Sequence, residues 1–151
     1  MAAVSPWKLD SIAAGDKSFD SARLVYRNPA GNSPLRLEFL RIGTSIDLFL
    51  NLSQFTIAPS LLDPASASVR FAIEGEPPFE EPIPLLEGRM RLRFLPETAS
   101  RVTRALQDGK KVGILVDGFE ETIEPERFPK LYEKLAGGST LLQNPFKGPM
   151  E

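Results

Sequence analysis

The chain has 151 residues, 42% of them apolar and 25% charged, a formal net charge of −2, and neither histidine nor cysteine. The length fits one domain that buries roughly 68–70% of its extended-chain surface. The missing residue types exclude, within this chain, Ser/His/Asp and Cys/His catalysis, zinc sites and disulfides. The slightly acidic balance argues against general nucleic-acid binding, which wants a strong cationic excess. No run approaches the ~20 apolar residues of a membrane span. Met1 to Trp7 shows neither a basic nor an apolar leader region. A periplasmic or exported location is expected if a leader was removed before Ala2, and a cytoplasmic one otherwise.

The elements follow in chain order. Trp7, Leu9 and Ile12 fit a short opening strand that tucks the indole into the core. Ala22 to Arg27 reads as a strand ended by the turn cluster Asn28-Pro29-Ala30-Gly31-Asn32. Leu35 to Phe39 alternates apolar and charged residues, the period of a half-buried strand. Ser45 to Ile57 is the longest strand candidate. Ile46, Leu48, Leu50 and Leu52 share one face, and Phe49 and Phe55 stand on the otherwise polar face. The terminal helix is expected to cover those two rings. Ala58 to Ser68 is a loop, and Val69, Phe71 and Ile73 mark a one-sided strand. Gly75 to Pro84 is acidic and Pro-rich, so it is a connection or an edge strand.

Gly88 to Leu95 alternates most cleanly. Met90, Leu92 and Phe94 face one way; Arg89, Arg91 and Arg93 face the other. Pro96-Glu97-Thr98 opens a helix, with Pro in its permitted first turn and an acid at the positive dipole end. Asp108-Gly109 ends it. Val112 to Val116 and Phe119 to Ile123 form a hairpin about Asp117-Gly118. Glu124-Pro125-Glu126 starts a last helix with Phe128, Leu131, Tyr132 and Leu135 on one stripe; Pro129 is tolerable only in its first turn. Gly137-Gly138 are expected to stop it.

These elements predict a mainly β chain, or α+β. It is an antiparallel β-sandwich or bent sheet of seven to eight strands, with one inserted and one C-terminal helix. Residues 1–136 form a single domain, and 137–151 a flexible or docked tail.

Arg89, Arg91 and Arg93, with same-side residues about 6.8 Å apart along a strand, form a stripe able to grip oxyanions or an acidic partner. The plainer reading is a solvated face paired with Glu38, Glu74 or Glu87. Phe49 and Phe55 are a second candidate contact. The acids Glu74, Glu76, Asp117, Glu120 and Glu121 match no defined metal or glycosidase spacing. The glycines form neither a P-loop nor a nucleophile elbow.

The order Val69-Arg70-Phe71-Ala72-Ile73-Glu74-Gly75, the Leu92/Phe94 strand, Val102-Thr103-Arg104-Ala105-Leu106 and Gly109-Lys110-Lys111-Val112 resembles the invasion-associated locus B family. That family and its relatives are small exported bacterial β-sandwich proteins. The likeness covers residues 69–135, extends to Trp7, and lies in hydrophobic order; the cysteines usual in the family are absent here. It implies a cell-envelope protein without catalytic residues.

The expectation is a non-enzymatic binding or structural domain of an envelope or exported protein. Its partner is a protein or other anionic macromolecule, met through Arg89, Arg91, Arg93, Phe49 and Phe55. No cofactor, metal, nucleic acid or membrane span is expected, and a homodimer is open. The alternatives are a cytosolic accessory protein of a secretion or signalling apparatus and a carboxylate-dependent hydrolase.

Overall fold

The computed structural model describes residues 6–12, 21–29, 33–52 and 55–143. Among them are nine strands: β1 (Trp7–Ile12), β2 (Ser21–Arg27), β3 (Leu35–Ile42), β4 (Ser45–Leu52), β5 (Ser66–Ile73), β6 (Phe79–Pro84), β7 (Arg91–Arg93), β8 (Val112–Val116) and β9 (Phe119–Ile123). Helix α1 (Pro96–Gln107) joins β7 to β8, and α2 (Phe128–Gln143) follows β9. The strands form a five-stranded sheet, β1-β2-β3-β4-β7, and a four-stranded sheet, β6-β5-β8-β9. Every pairing is antiparallel.

The alternation of the sequence decides which face is buried. Leu24, Phe39 and Leu48 stand opposite one another across β2, β3 and β4, and so do Tyr26, Leu37 and Leu50. These rows face Val69, Phe71 and Ile73 of β5 and Val112, Ile114 and Val116 of β8, all within one buried cluster. Each fully buried large apolar side chain favours folding by roughly 1.5–3 kcal/mol over its exposed state. The count exceeds seven or eight because the acidic, Pro-rich segment does pair, as the edge strand β6, where missing N–H groups cost no ladder bond.

The helices close one side of the core. Helix α1 buries Thr98, Val102, Ala105 and Leu106 and has Pro and Glu97 in its first turn. Gly109, at φ +79, terminates it, a conformation that favours glycine. Helix α2 packs on β1, β2 and α1. Its fully buried Phe128 meets Trp7, Phe39 and Tyr132, with ring centroids 4.8, 5.3 and 5.3 Å away. The Trp7 indole N–H donates to the Glu124 carbonyl at 2.7 Å, tying the first strand to the start of this helix.

Two boundaries differ from the sequence reading. Gly88 and Arg89 both have positive φ, +87 and +54, so the chain turns there and β7 shrinks to three residues. Helix α2 passes through Gly137 and Gly138 to Gln143, so the segment after Ala136 is not a separate tail from its start. Glycine costs a helix only about 1 kcal/mol and forbids nothing. The firmer stop in the sequence is Asn144-Pro145. Whether residues 144–151 dock lies outside the described residues.

Candidate functional site

The outward residues of the five-stranded sheet follow from the same parity that builds the core. Strands β1 and β2 contribute Lys8, Asp10, Arg23, Val25 and Arg27. Strand β3 adds Arg36, Glu38 and Leu40, β4 adds Asp47, Phe49 and Asn51, and β7 adds Arg91 and Arg93. Register aligns them in cross-strand rows. One row is Lys8, Val25, Glu38, Phe49 and Arg93; the next is Arg27, Arg36, Asn51 and Arg91.

Six cations (Lys8, Arg23, Arg27, Arg36, Arg91 and Arg93) share this face with three carboxylates (Asp10, Glu38 and Asp47). The face therefore carries an excess of three positive charges. Since the whole chain carries −2, the remaining residues carry five excess negative charges.

Glu38 organises the centre. It is 7% exposed although it points outward. Arg23 Nη1 donates to its Oε2 at 3.3 Å, and Arg91 Nη2 to its Oε1 at 3.2 Å. Strands β3 and β7 flank β4, so Arg91 must reach across roughly 9–10 Å of sheet. Its guanidinium passes over the Phe49 ring, 4.3 Å from the centroid. The crossing explains why Phe49 is buried on an outward face: arginine covers it, not the terminal helix. The Arg91 Nε is buried without a hydrogen-bond partner among the described residues.

Arg93 pairs with Asp47 at 3.3 Å, and both are substantially exposed. Such a pair contributes at most about 1 kcal/mol. Lys8, Arg27 and Arg36 have no ion pair among the described residues. All three line a groove of about 480 Å³ with Asp10, Arg23 and Asn51. A second groove shares Arg23, Glu38 and Asn51 and adds Arg91. A larger cleft of about 730 Å³ lies between α1, β4 and Tyr132, with Leu48, Phe94 and Pro96 in its wall. Its Thr103 hydroxyl is committed to the Ala99 carbonyl, and Asp47 to Arg93. We place the site in the smaller basic grooves, because the first of them holds Lys8, Arg27 and Arg36, the cations of this face without an ion pair among the described residues.

The five sequence candidates separate. Arg91, Arg93 and Phe49 lie together on this face. Arg89 does not: it sits in the left-handed turn before β7, with its carbonyl accepting from Ile57 N–H at 2.7 Å. Phe55 does not either. Its N–H donates to the Leu52 carbonyl, so the chain turns as β4 ends, and its ring packs on Phe119 at 5.3 Å.

The acids are dispersed. Glu74 accepts from Lys111 N–H, and Glu76 pairs with Arg101 and Lys110. Asp117 is at the opposite end of β8 from Glu74 and accepts from Ala58 N–H. Glu121 is buried and accepts from Asn28. Glu120 joins Glu121, Glu124 and Glu126 along another groove. Among the described residues no group of three acids could hold a metal ion.

Lys8, Arg23, Arg27 and Arg36 are residues the sequence reading does not gather. The available signal was parity: each alternates with a core residue on its own strand. Only the register joins them. No family model, curated protein or solved structure matches this chain.

Proposed function

We propose that this domain is a binding module whose five-stranded sheet captures an acidic segment of a macromolecular partner, without catalysing a reaction. One observation carries the reading. A chain of net charge −2 concentrates six cations on one sheet face and leaves Lys8, Arg27 and Arg36 without an ion pair among the described residues. Such a patch steers an anionic partner and raises its encounter rate. The rows of arginine supply forked donors for its carboxylates. The envelope or exported setting belongs to this proposal, supported by the hydrophobic order of residues 69–135; reading the genomic sequence upstream of Ala2 tests it.

A fluorescein-labelled poly-glutamate peptide, followed by anisotropy, tests the binding. The expected result is saturable binding that weakens as salt rises. The double variant Lys8→Glu, Arg27→Glu should weaken it at least about tenfold, since each lost charge-assisted contact is worth roughly 1.5–3 kcal/mol. Neither substitution touches the Glu38 cluster, so the fold should be retained. Unchanged binding by the folded double variant overturns the reading.

A further inference from the structure

Arg27 on β2 and Arg36 on β3 are directly opposite in register. Directly opposed like charges weaken a strand pair. Neither guanidinium has an ion pair or side-chain hydrogen bond among the described residues. The nearest carboxylate on that face of β3, Glu38, is already shared between Arg23 and Arg91. Arg36 is half-buried, and Lys8 lines the same groove. The fold thus sets Arg27 and Arg36 side by side with no ion pair of their own among the described residues, in a groove that Lys8, Asp10 and Glu38 also line.

We propose that Arg27 and Arg36, assisted by Lys8, form a site for a dianionic oxyanion of the phosphomonoester class. This rests on the reading of the face as an anion-binding surface and names the group it grips hardest. Directly opposed residues have Cβ atoms roughly 4.5–5.5 Å apart, so two guanidinium forks can close on one tetrahedral anion. A phosphomonoester brings about −1.5 to −2 of charge and three acceptor oxygens. A carboxylate brings one charge and two oxygens, and leaves one arginine unsatisfied. No exposed large apolar residue lines the groove, so nothing there enters a bilayer with a lipid headgroup.

The test is a titration of the ¹⁵N-labelled full chain with inorganic phosphate, at ionic strength held constant with chloride. Saturable amide shifts are expected in β2 and β3 around Arg27 and Arg36. Arg36→Gln should weaken phosphate roughly tenfold, the loss of one charge-assisted contact. Arg36→Lys, which keeps the charge but not the fork, should fall between. A phosphoserine peptide and its serine parent form the second arm. A preference of about tenfold or more for the phosphopeptide, again one such contact, marks a phosphorylated chain as ligand. Saturation by phosphate without that preference marks a free oxyanion. Shifts no larger than those in chloride, or unchanged in folded Arg36→Gln, overturn the site. Should poly-glutamate bind while phosphate does not, this site alone fails; if neither binds, both readings fail.

Discussion

The Arg91 guanidinium lies over the Phe49 ring and delivers its Nη2 to Glu38, so one side chain ties the edge strand β7 to the sheet centre. Stacking on the ring adds about 0.5–1 kcal/mol or more and keeps water from the aromatic face. The same contact holds a buried carboxylate between two arginines. Structure and charge on this face therefore share residues, and substitutions there need to separate the two.

Glu38→Gln does so. It leaves the Arg23 and Arg91 guanidinium groups without their shared counter-charge. Because both are partly exposed, the expected cost is about 1–2 kcal/mol, less than for a fully buried pair. Urea unfolding should show the loss. The variant also makes the face one charge more positive, so poly-glutamate should bind more tightly. Weaker binding by a folded variant would assign the carboxylate a different role.

Both tyrosines should titrate late. The chain has two, Tyr26 and Tyr132. Burial, the largest cause, pushes the Tyr26 phenol from its ordinary value of 10 up to about 12, and the Glu121 and Glu124 carboxylates push the same way against an opposing Glu124 backbone bond. Burial also raises Tyr132. Phenolate absorbance of the folded chain should therefore place both midpoints above the ordinary tyrosine value. The folded state favours the neutral phenol, so Tyr26's contribution is complete below pH 10 and is lost as pH rises through about 12. Urea midpoints should decline over that window.

Phe128 pins α2 to the five-stranded sheet through Trp7 and Phe39. Phe128→Ala should cost about 3–5 kcal/mol, the range for emptying a buried phenylalanine site. Fluorescence of the single tryptophan, Trp7, reports the transition directly.

Leu61 and Leu62 stand fully exposed on a loop locked from within. The Asp63 carboxylate accepts from Ala65 N–H and the Ser66 hydroxyl, and Ser60 N–H donates to the Ser66 carbonyl. Replacing both leucines with serine should change stability by no more than about 0.5 kcal/mol, measured by thermal unfolding. A larger loss would show that they pack against something in solution.

Much of the fold was legible because its signals are local and redundant. Alternation in 35–39 and 69–73 set the buried faces, Pro96 and Gly109 bounded α1, and Asp117-Gly118 marked the hairpin. What was not legible depends on distant partners or on backbone choices that several residue types allow. Arg89 adopts a left-handed conformation that no local pattern demands. Phe49 on β4 is covered by an arginine of β7, three strands later in the chain, which no periodicity can report. Arg41 occupies an inward position among apolar residues, buried and donating to the Gly43 carbonyl. The site was half legible: parity aimed Arg91 and Arg93 outward, but register alone brought Arg23, Arg27 and Arg36 beside them.

The most direct measurement is an amide-shift map of the ¹⁵N-labelled full chain with the poly-glutamate peptide. The account predicts the largest shifts on β2, β3, β4 and β7, shrinking together as salt is raised. Shifts centred on β5, β8 and β9, or a peptide that leaves the spectrum unmoved at low salt, would contradict it.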